Sequence, residues 1–419
     1  MTMDELRNVA TDHARASRWA ELAALEPELR ADAEYWIGLW GPLCAIAQWH
    51  EGRDDARGLL EECISAGFHD VEALRKELDE SFGTVADWPE LRARMEANIP
   101  PPPVELTRWP CARPILPLEL MRLDQAGEEK LRARLPAPSP RALTTAEELL
   151  AWVAGRWRHS TMGHVGTNDA NLVLDRVEAG DRFACVEYTI VLTQALNAVQ
   201  IPARALSVLR PGYHASRGTG HAVTEAWIDD LGAWVLLDGQ NGATWRDSDD
   251  RPLSALDLQR RHRAGDRPQS GQSPSGQLRY VGSGRNFNAD EADTWFSYFD
   301  TVAVGRGHAW SARPYVPIME INGVLRSSRL TDNDADVAPD LSAISTSVTD
   351  QDGPALVFHA DHPYATGFMV TDTVTNAATA LGAAQPFPLA GEPGDRRLTV
   401  AVTTPYGTLS PRHLDYVIR

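Results

Sequence analysis

Apolar and polar positions alternate most regularly between residues 180 and 242. After Cys185, apolar side chains recur at the i, i+3, i+4 and i+7 spacing of a helix with one buried face. They are Tyr188, Val191, Leu192, Ala195, Leu196 and Val199. Gly180 and Asp181 precede this run as a helix breaker and a cap. The pattern therefore places Cys185 in the first turn of a helix.

Two stretches of alternating residues follow and predict a β-hairpin. The first runs from His221 to Ile228, the second from Trp234 to Asp238, and Asp229-Asp230-Leu231-Gly232 supplies the turn. With a turn of about two to four residues, Asp238 is expected opposite His221 or about one residue pair away. A carboxylate would then reach the imidazole.

The first 98 residues carry helical patterns separated by polar breaks. Helices are expected over 33–49, 56–66, 71–78 and 88–95. The runs Gly52-x-x-Asp55-Ala56 and Ala66-Gly67-Phe68 resemble tetratricopeptide-like helical pairs. Residues 1–98 are thus expected to form an all-α domain. It would serve either as a cap on the rest of the chain or as a docking surface for a protein partner.

The remaining segments differ from one another in composition and in the secondary structure they predict. Residues 99–140 are Pro-rich and read as a linker or surface segment. Thr144-Thr145-Ala146-Glu147-Glu148 predicts a capping box for a helix that reaches Trp157, within a segment spanning 141–312. In its 289–300 stretch, four aromatic residues favour core packing over an aromatic substrate wall; they are Trp295, Phe296, Tyr298 and Phe299. Short strands between Asp, Gly and Pro clusters predict a β-sandwich, Ig-like, over 313–419.

Composition narrows the classes of function. The chain has 419 residues, 40 basic and 58 acidic, with a formal charge of −18, which disfavours a nucleic-acid or anionic-membrane partner. The N-terminus lacks a signal-peptide pattern, and no apolar run approaches the roughly 18 residues of a membrane span, so the cytoplasm is the expected compartment. The four cysteines show neither disulfide nor metal spacing. His214 and His221 lack a third ligand at useful spacing, so we expect no metal and no other cofactor.

Three of these residues suggest chemistry when taken together. Cys185, His221 and Asp238 supply a nucleophile, a base and an acid that orients the base. A thiol in the first turn of a helix lies near free N–H groups and the positive end of the helix dipole, which lower its pKa. The same N–H groups can stabilise an oxyanion.

Roughly residues 145–245 resemble the transglutaminase-like superfamily. The resemblance rests on Cys185 before an apolar helix, Ile201-Pro202-Ala203-Arg204, His221-Ala222-Val223-Thr224-Glu225 and Trp234-Val235-Leu236-Leu237-Asp238. It implies an α+β, papain- or transglutaminase-like core in which a Cys-bearing helix packs on an antiparallel sheet. It also implies a Cys185–His221–Asp238 triad in a catalytic domain at 141–312. Five more residues are candidates for lining the site: Glu225, His159, His164, Trp234 and Tyr188. Glu225 is expected either to tune His221 or to pair with an arginine such as Arg204.

The motif around the cysteine limits what the resemblance implies. Phe183-Ala184-Cys185-Val186 lacks the Gln and Trp that flank the nucleophile of vertebrate-type crosslinking enzymes. We therefore expect acyl transfer from the amide, ester or thioester carbonyl of a peptide or small molecule to water or an amine. Two alternatives remain open at this point. One is a non-catalytic scaffold with this fold, and the other is a carrier-dependent, amide-forming acyltransferase of natural-product assembly.

Overall fold

The structure is a computed structural model. It describes residues 1–69, 72–99, 104–108, 118, 120–161, 163–211, 220–269, 273–304, 310–311, 318–319, 325–326, 330–331, 334–349, 354–389 and 393–419. Helices account for 38% and strands for 24% of this mixed fold. The chain divides into two compact units, Met1–Pro103 and Val104–Arg419.

The regular elements described in the first unit are helical. They are α1 (Met3–Arg15), α2 (Trp19–Ala24), α3 (Glu26–Leu29), a π-helical turn (Trp36–Trp40), α4 (Gly41–His50), α5 (Ala56–Ser65), α6 (Arg75–Phe82) and α7 (Trp88–Ala97). The expected helix over 71–78 begins later, at Arg75, and continues to Phe82. The first three helices were not predicted. Apolar side chains from the helices share one core, in which Leu60, Leu78 and Phe82 are fully buried.

The second unit begins with a strand and four helices. They are β1 (Val104–Arg108), α8 (Gln125–Arg132), α9 (Ala142–Ala154), α10 (Ala170–Glu178) and α11 (Cys185–Ala198). The segment interpreted as a linker thus contains a strand and a helix, while Pro100–Pro103 lies outside the described residues. The expected capping box is wrong, because α9 already begins at Ala142 and ends at Ala154. The Thr145 hydroxyl instead donates to the carbonyl of Ser139.

A four-stranded antiparallel sheet supports α11. The elements that follow α11 are β2 (Ala203–Leu209), β3 (Gly220–Ile228), β4 (Ala233–Leu237), β5 (Ala243–Arg246), α12 (Ala255–Ala264), β6 (Arg279–Gly282), α13 (Ala292–Phe296) and β7 (Thr301–Val304). The strand order in the sheet is β4-β3-β2-β7, and β5 pairs separately with β6. Side chains of β3 and β4 alternate between two apolar clusters. Ala226 and Leu237 pack with α11, whereas Val223 and Leu236 pack on the opposite face.

The rest of the second unit is rich in strands. These elements are β8 (Trp310–Ser311), β9 (Ile318–Met319), β10 (Leu325–Arg326), β11 (Leu330–Thr331), α14 (Asp334–Val337), β12 (Ile344–Thr349), β13 (Ala355–Ala360), β14 (Gly367–Asp372), β15 (Ala378–Gly382), β16 (Phe387–Pro388), β17 (Gly394–Thr404), β18 (Gly407–Thr408) and β19 (Arg412–Ile418). One sheet has the order β12-β13-β16, and another the order β1-β19-β17-β14-β15 with β18 beside β17. A single apolar cluster joins side chains of both sheets, among them Phe358, Phe368 and Val400.

Candidate active site

Cys185 is the first residue of α11, which confirms its predicted place in the first turn. Gly180 has a φ of +104°, in the region that favours glycine, and it follows the end of α10. Ala184 is extended and offers no side-chain cap to the helix. Nearby, the carbonyl of Phe183 accepts hydrogen bonds from the Trp157 indole and from the amide of Ser160. Since no side chain of the described residues caps this helix end, the first-turn N–H groups beside the thiol can serve an oxyanion.

A backbone N–H of β3 reaches the thiol of Cys185 because the pairing between β3 and β4 ends early. The amide of Trp227 donates toward β2, so Ala222, an odd number of residues away, turns its N–H toward β4. Pairing between β3 and β4 stops at Thr224 and Leu237, before it reaches Ala222. The N–H of Ala222 is therefore not used in the ladder, and it donates to the thiol of Cys185 instead.

His221 and Asp238 are joined by a buried hydrogen bond. Nε2 of His221 lies 3.1 Å from Oδ2 of Asp238, and the two side chains are 6% and 5% exposed. The thiol of Cys185 is hydrogen-bonded to the same imidazole, so Nδ1 is the ring nitrogen that remains for the sulfur. The structure thus brings the three residues together in the order thiol, imidazole, carboxylate.

The hairpin register differs from the expected one. Residues 229–232 form a four-residue turn, and continuation of the ladder would place Asp238 opposite Val223 rather than within one pair of His221. The contact forms across a diagonal on one face of the sheet, which long side chains can span. The expected distance between the two strand positions was wrong, although their shared face was correct.

Two residues beside Asp238 were not predicted from the sequence, and one of them, Asn241, holds the carboxylate in place. Asn241 donates its backbone N–H to Oδ1 of Asp238 at 3.1 Å and its side-chain amide to Oδ2 at 2.9 Å. The phenol of Tyr280 lies close to Asp238, and burial, together with that carboxylate charge, raises the pKa of Tyr280. The spacing Asp-Gly-Gln-Asn marks a turn after a strand and could have pointed to Asn241. No local signal linked Tyr280 to this site.

The charges of the pair favour a thiolate. Burial by itself would raise the pKa of Cys185, but the hydrogen bond and positive charge of His221 and the N–H of Ala222 outweigh it, so the pKa is lowered. Burial also opposes a charged His221, yet the charge and hydrogen bond of Asp238 prevail and raise its pKa. Both shifts stabilise a thiolate–imidazolium pair relative to the neutral pair.

Two aromatic residues flank the imidazole. The ring centroid of Trp295 lies 4.8 Å from that of His221, and the centroid of Tyr298 lies 5.8 Å away. Phe296, Tyr298 and Phe299 are buried members of the core cluster beside the sheet, and Trp295 packs against that cluster, so the expectation of core packing is confirmed for this stretch. Trp295 and Tyr298 in addition form a wall against the candidate base.

The two candidate histidines of the preceding loop are placed differently. The pKa of His159 is lowered, first by burial and second by the positive charge of the nearby His221. His164 lies 3.1 Å from the buried carboxylate of Glu187, one turn into α11, and is itself mostly exposed. His214 lies outside the described residues.

The other three candidates have structural partners. Glu225 pairs with Arg204 at 2.7 Å, which decides between its two expected roles, and it also accepts the N–H of Ala255. Trp234 is buried and donates its indole N–H to the carbonyl of Pro339. Tyr188 is fully buried, stacks on Trp157 and donates its hydroxyl to the carbonyl of that residue. The structure brings none of these three side chains into contact with His221.

A family model matches the part of the chain that contains the candidate site. Residues 129–239 match the family model of the transglutaminase-like superfamily. The chain therefore contains a transglutaminase-like domain, and it includes Cys185, His221 and Asp238. This superfamily usually includes cysteine enzymes. No curated protein matches the chain significantly.

Among the described residues, no helix combines the length and apolar character needed to cross a membrane.

Proposed function

We propose that the protein is a cysteine-dependent acyl-transfer enzyme with Cys185 as nucleophile, His221 as general base and acid, and Asp238 as the residue that orients His221. The observation that carries the proposal is the buried chain of hydrogen bonds from thiol to imidazole to carboxylate. The opposed pKa shifts of Cys185 and His221 support it, because a thiolate is the reactive form of cysteine.

The reaction begins with attack of the Cys185 thiolate on an amide, ester or thioester carbonyl. The carbonyl oxygen becomes an oxyanion, which first-turn N–H groups of α11 stabilise. As the tetrahedral intermediate collapses, His221 gives its proton to the leaving amine, alcohol or thiol, and a thioester remains on Cys185. His221 then removes a proton from water or an incoming amine, which attacks the thioester and regenerates the thiolate.

The substrate that fits this proposal is a peptide or a small molecule with an acyl group. The absence of the Gln and Trp flanking residues at Phe183-Ala184-Cys185-Val186 supports a role other than protein crosslinking. Along the chain, this core follows an N-terminal helical module and precedes a C-terminal sandwich of two sheets, and we assign the helical module to binding a protein partner. The cytoplasm remains the compartment we propose.

Limited alkylation tests the nucleophile. Iodoacetamide is added below stoichiometry between pH 5 and 9, and intact mass follows wild type, Cys185→Ala and His221→Ala. We expect fast single labelling of wild type at pH 6, its loss in Cys185→Ala and marked slowing in His221→Ala. Cys44→Ala is the matched control, because burial raises the pKa of Cys44 to about 12 and its removal should change nothing.

An activated ester tests the acyl enzyme. p-Nitrophenyl acetate should give a burst of one p-nitrophenolate per protein in wild type and none in Cys185→Ala. Added methylamine competes with water for the thioester, so the product ratio distinguishes amide formation from hydrolysis. Equal labelling of wild type and Cys185→Ala at pH 6, with no burst, would instead favour a scaffold.

A further inference from the structure

Arg210 lies just beyond the end of β2, on the aromatic side of the candidate site. Its guanidinium carbon sits 4.1 Å from the ring centroid of Tyr298. One terminal nitrogen, Nη2, donates to the carbonyl of Thr294 at 3.1 Å. A stacked and hydrogen-bonded guanidinium is held in one orientation, which reduces the entropy lost when it binds a planar anion.

Tyr298 connects Arg210 to the catalytic residues. The same ring that carries the guanidinium lies 5.8 Å from His221 and stacks with Trp295, which also contacts His221. Burial raises the pKa of Tyr298, Arg210 opposes that effect and the charge of Cys185 adds to it. The phenol is thus within electrostatic reach of both the arginine and the nucleophile. Arg210 lies one aromatic ring away from the thiol–imidazole pair.

The charge of Arg210 is not neutralised within the described part of the chain. No carboxylate of the described residues forms an ion pair with it, and its buried Nε has no hydrogen-bond partner there. Arg204, at the other end of β2, is different because it is buried against Glu225 at 2.7 Å. In a chain with 58 acidic and 40 basic residues, an arginine without such a partner beside a nucleophile calls for an external anion.

We propose that Arg210, supported by Tyr298, binds a carboxylate of the acyl substrate and gives the site a preference for acidic substrates. A carboxylate can accept charge-assisted hydrogen bonds from the guanidinium, whose face is held against the Tyr298 ring. The inference rests on the proposed function, since it specifies the substrate class of the same site. It assigns Arg210 to specificity and leaves the bond-breaking steps to Cys185 and His221.

Matched alkylating probes test this preference without knowledge of the substrate. N-iodoacetylglycine and N-iodoacetylglycinamide carry the same reactive group and differ by a carboxylate in place of a neutral amide. The ratio of their second-order rate constants at Cys185 cancels changes in thiolate population. Longer homologues made with β-alanine and γ-aminobutyrate vary the distance from sulfur to carboxylate. We expect wild type to favour the acid at one of these lengths.

Variants of Arg210 separate charge recognition from structural support. Arg210→Met should lower the acid-to-amide ratio by about tenfold, the usual scale of one charge-assisted hydrogen bond, and Arg210→Glu should lower it further. Arg210→Lys should retain part of the preference. Arg156→Met is the control, because Arg156 also lies over an aromatic ring, that of Trp152, and donates to a backbone carbonyl. Its ratio should equal that of wild type.

Each outcome decides the question. An unchanged ratio in Arg210→Met, with Cys185 still reactive, would overturn the preference and leave the proposed function standing. If Cys185 of wild type reacts with neither probe, the proposed function is overturned, and the preference with it. If Arg210→Met does not fold, the acid-to-amide ratio of wild type is measured at increasing salt instead. Recognition of a charge must weaken as ionic strength rises to about 1 M, so the ratio must fall.

Discussion

Replacing Asp238 with asparagine should disable the base while keeping its shape. Oδ1 of residue 238 now accepts the backbone N–H of Asn241, and Oδ2 accepts both His221 Nε2 and the Asn241 side chain. In the variant, the side-chain amide at position 238 keeps its oxygen on the backbone N–H of Asn241. Its NH₂ group then faces His221. Nε2 must then accept a hydrogen bond, so the proton of a neutral imidazole moves to Nδ1. The nitrogen that should accept the thiol proton is thereby already protonated.

The size of the effect follows from the burial of this pair. The side chains of His221 and Asp238 are 6% and 5% exposed, so solvent screens their interaction little. A hydrogen bond between charged groups contributes about 1.5–3 kcal/mol, which corresponds to about ten- to a hundredfold in the thiolate population. Loss of the carboxylate lowers the pKa of His221 and raises that of Cys185. Alkylation at pH 6 should slow by that factor and recover as the pH approaches 9.

The assay is the second-order rate of iodoacetamide alkylation against pH, measured for wild type and Asp238→Asn. Cys185→Ala supplies the background from the remaining thiols, two of which, Cys44 and Cys63, are buried with a raised pKa. Wild type should gain reactivity as pH rises through the lowered pKa of Cys185, below the range of an ordinary thiol. The reasoning is refuted if both proteins give the same pH profile, since Asp238 would then not control the charge of His221.

Three further substitutions, with Gly265→Ala as a control, test the support of the site. Asn241→Ala removes the side-chain donor to Asp238 but keeps the backbone donor and the carboxylate charge, so alkylation at pH 6 should slow by only about three- to tenfold, less than in Asp238→Asn. Gly242→Ala should cost about 2–4 kcal/mol of folding stability, measured by urea unfolding, because its φ is +58° and a new Cβ would meet Ala154 Cβ at 2.7 Å. Gly265 also has a positive φ, +87°, but an added Cβ would meet no atom there. Gly265→Ala therefore measures the cost of the backbone conformation alone, about 1–2 kcal/mol of folding stability. Asp229→Ala leaves the buried Nε2–H of His362 unpaired and should cost about 1–3 kcal/mol by the same measurement, while the pH profile of Cys185 stays unchanged.

Local patterns in the sequence were sufficient for the elements that carry the site. The spacing of apolar residues predicted α11 with Cys185 in its first turn, and alternation predicted β3 and β4. In contrast, the start of α9 was misplaced, because a run of Thr and Glu resembles a cap wherever it occurs. The helix begins three residues before Thr145 since Ala142 and Ala146 are buried in the core, and tertiary packing outweighs the local capping signal.

The surroundings of the three residues depend on contacts between distant segments. Tyr280 and Trp295 approach Asp238 and His221 from parts of the chain more than 40 residues beyond Asp238, and neither residue type marks a site by itself. Tyr188 was named as a candidate lining residue, but it also begins the apolar face of α11. The structure places it on that buried face, where it stacks on Trp157 at 4.0 Å.

The hairpin that holds His221 and Asp238 is fixed at both of its ends. At the site, β4 stops before Ala222, and the freed N–H of that residue is used for Cys185. At the distant turn, Asp229 accepts from His362 and from Thr404, which belong to the C-terminal strand-rich region. The His362 side chain is fully buried, and its Nδ1 accepts the N–H of Tyr364, so its Nε2 carries the proton for Asp229. The anchor at the turn stabilises the folded hairpin, while the β3–β4 ladder between the two ends keeps the register that gives the diagonal contact between His221 and Asp238.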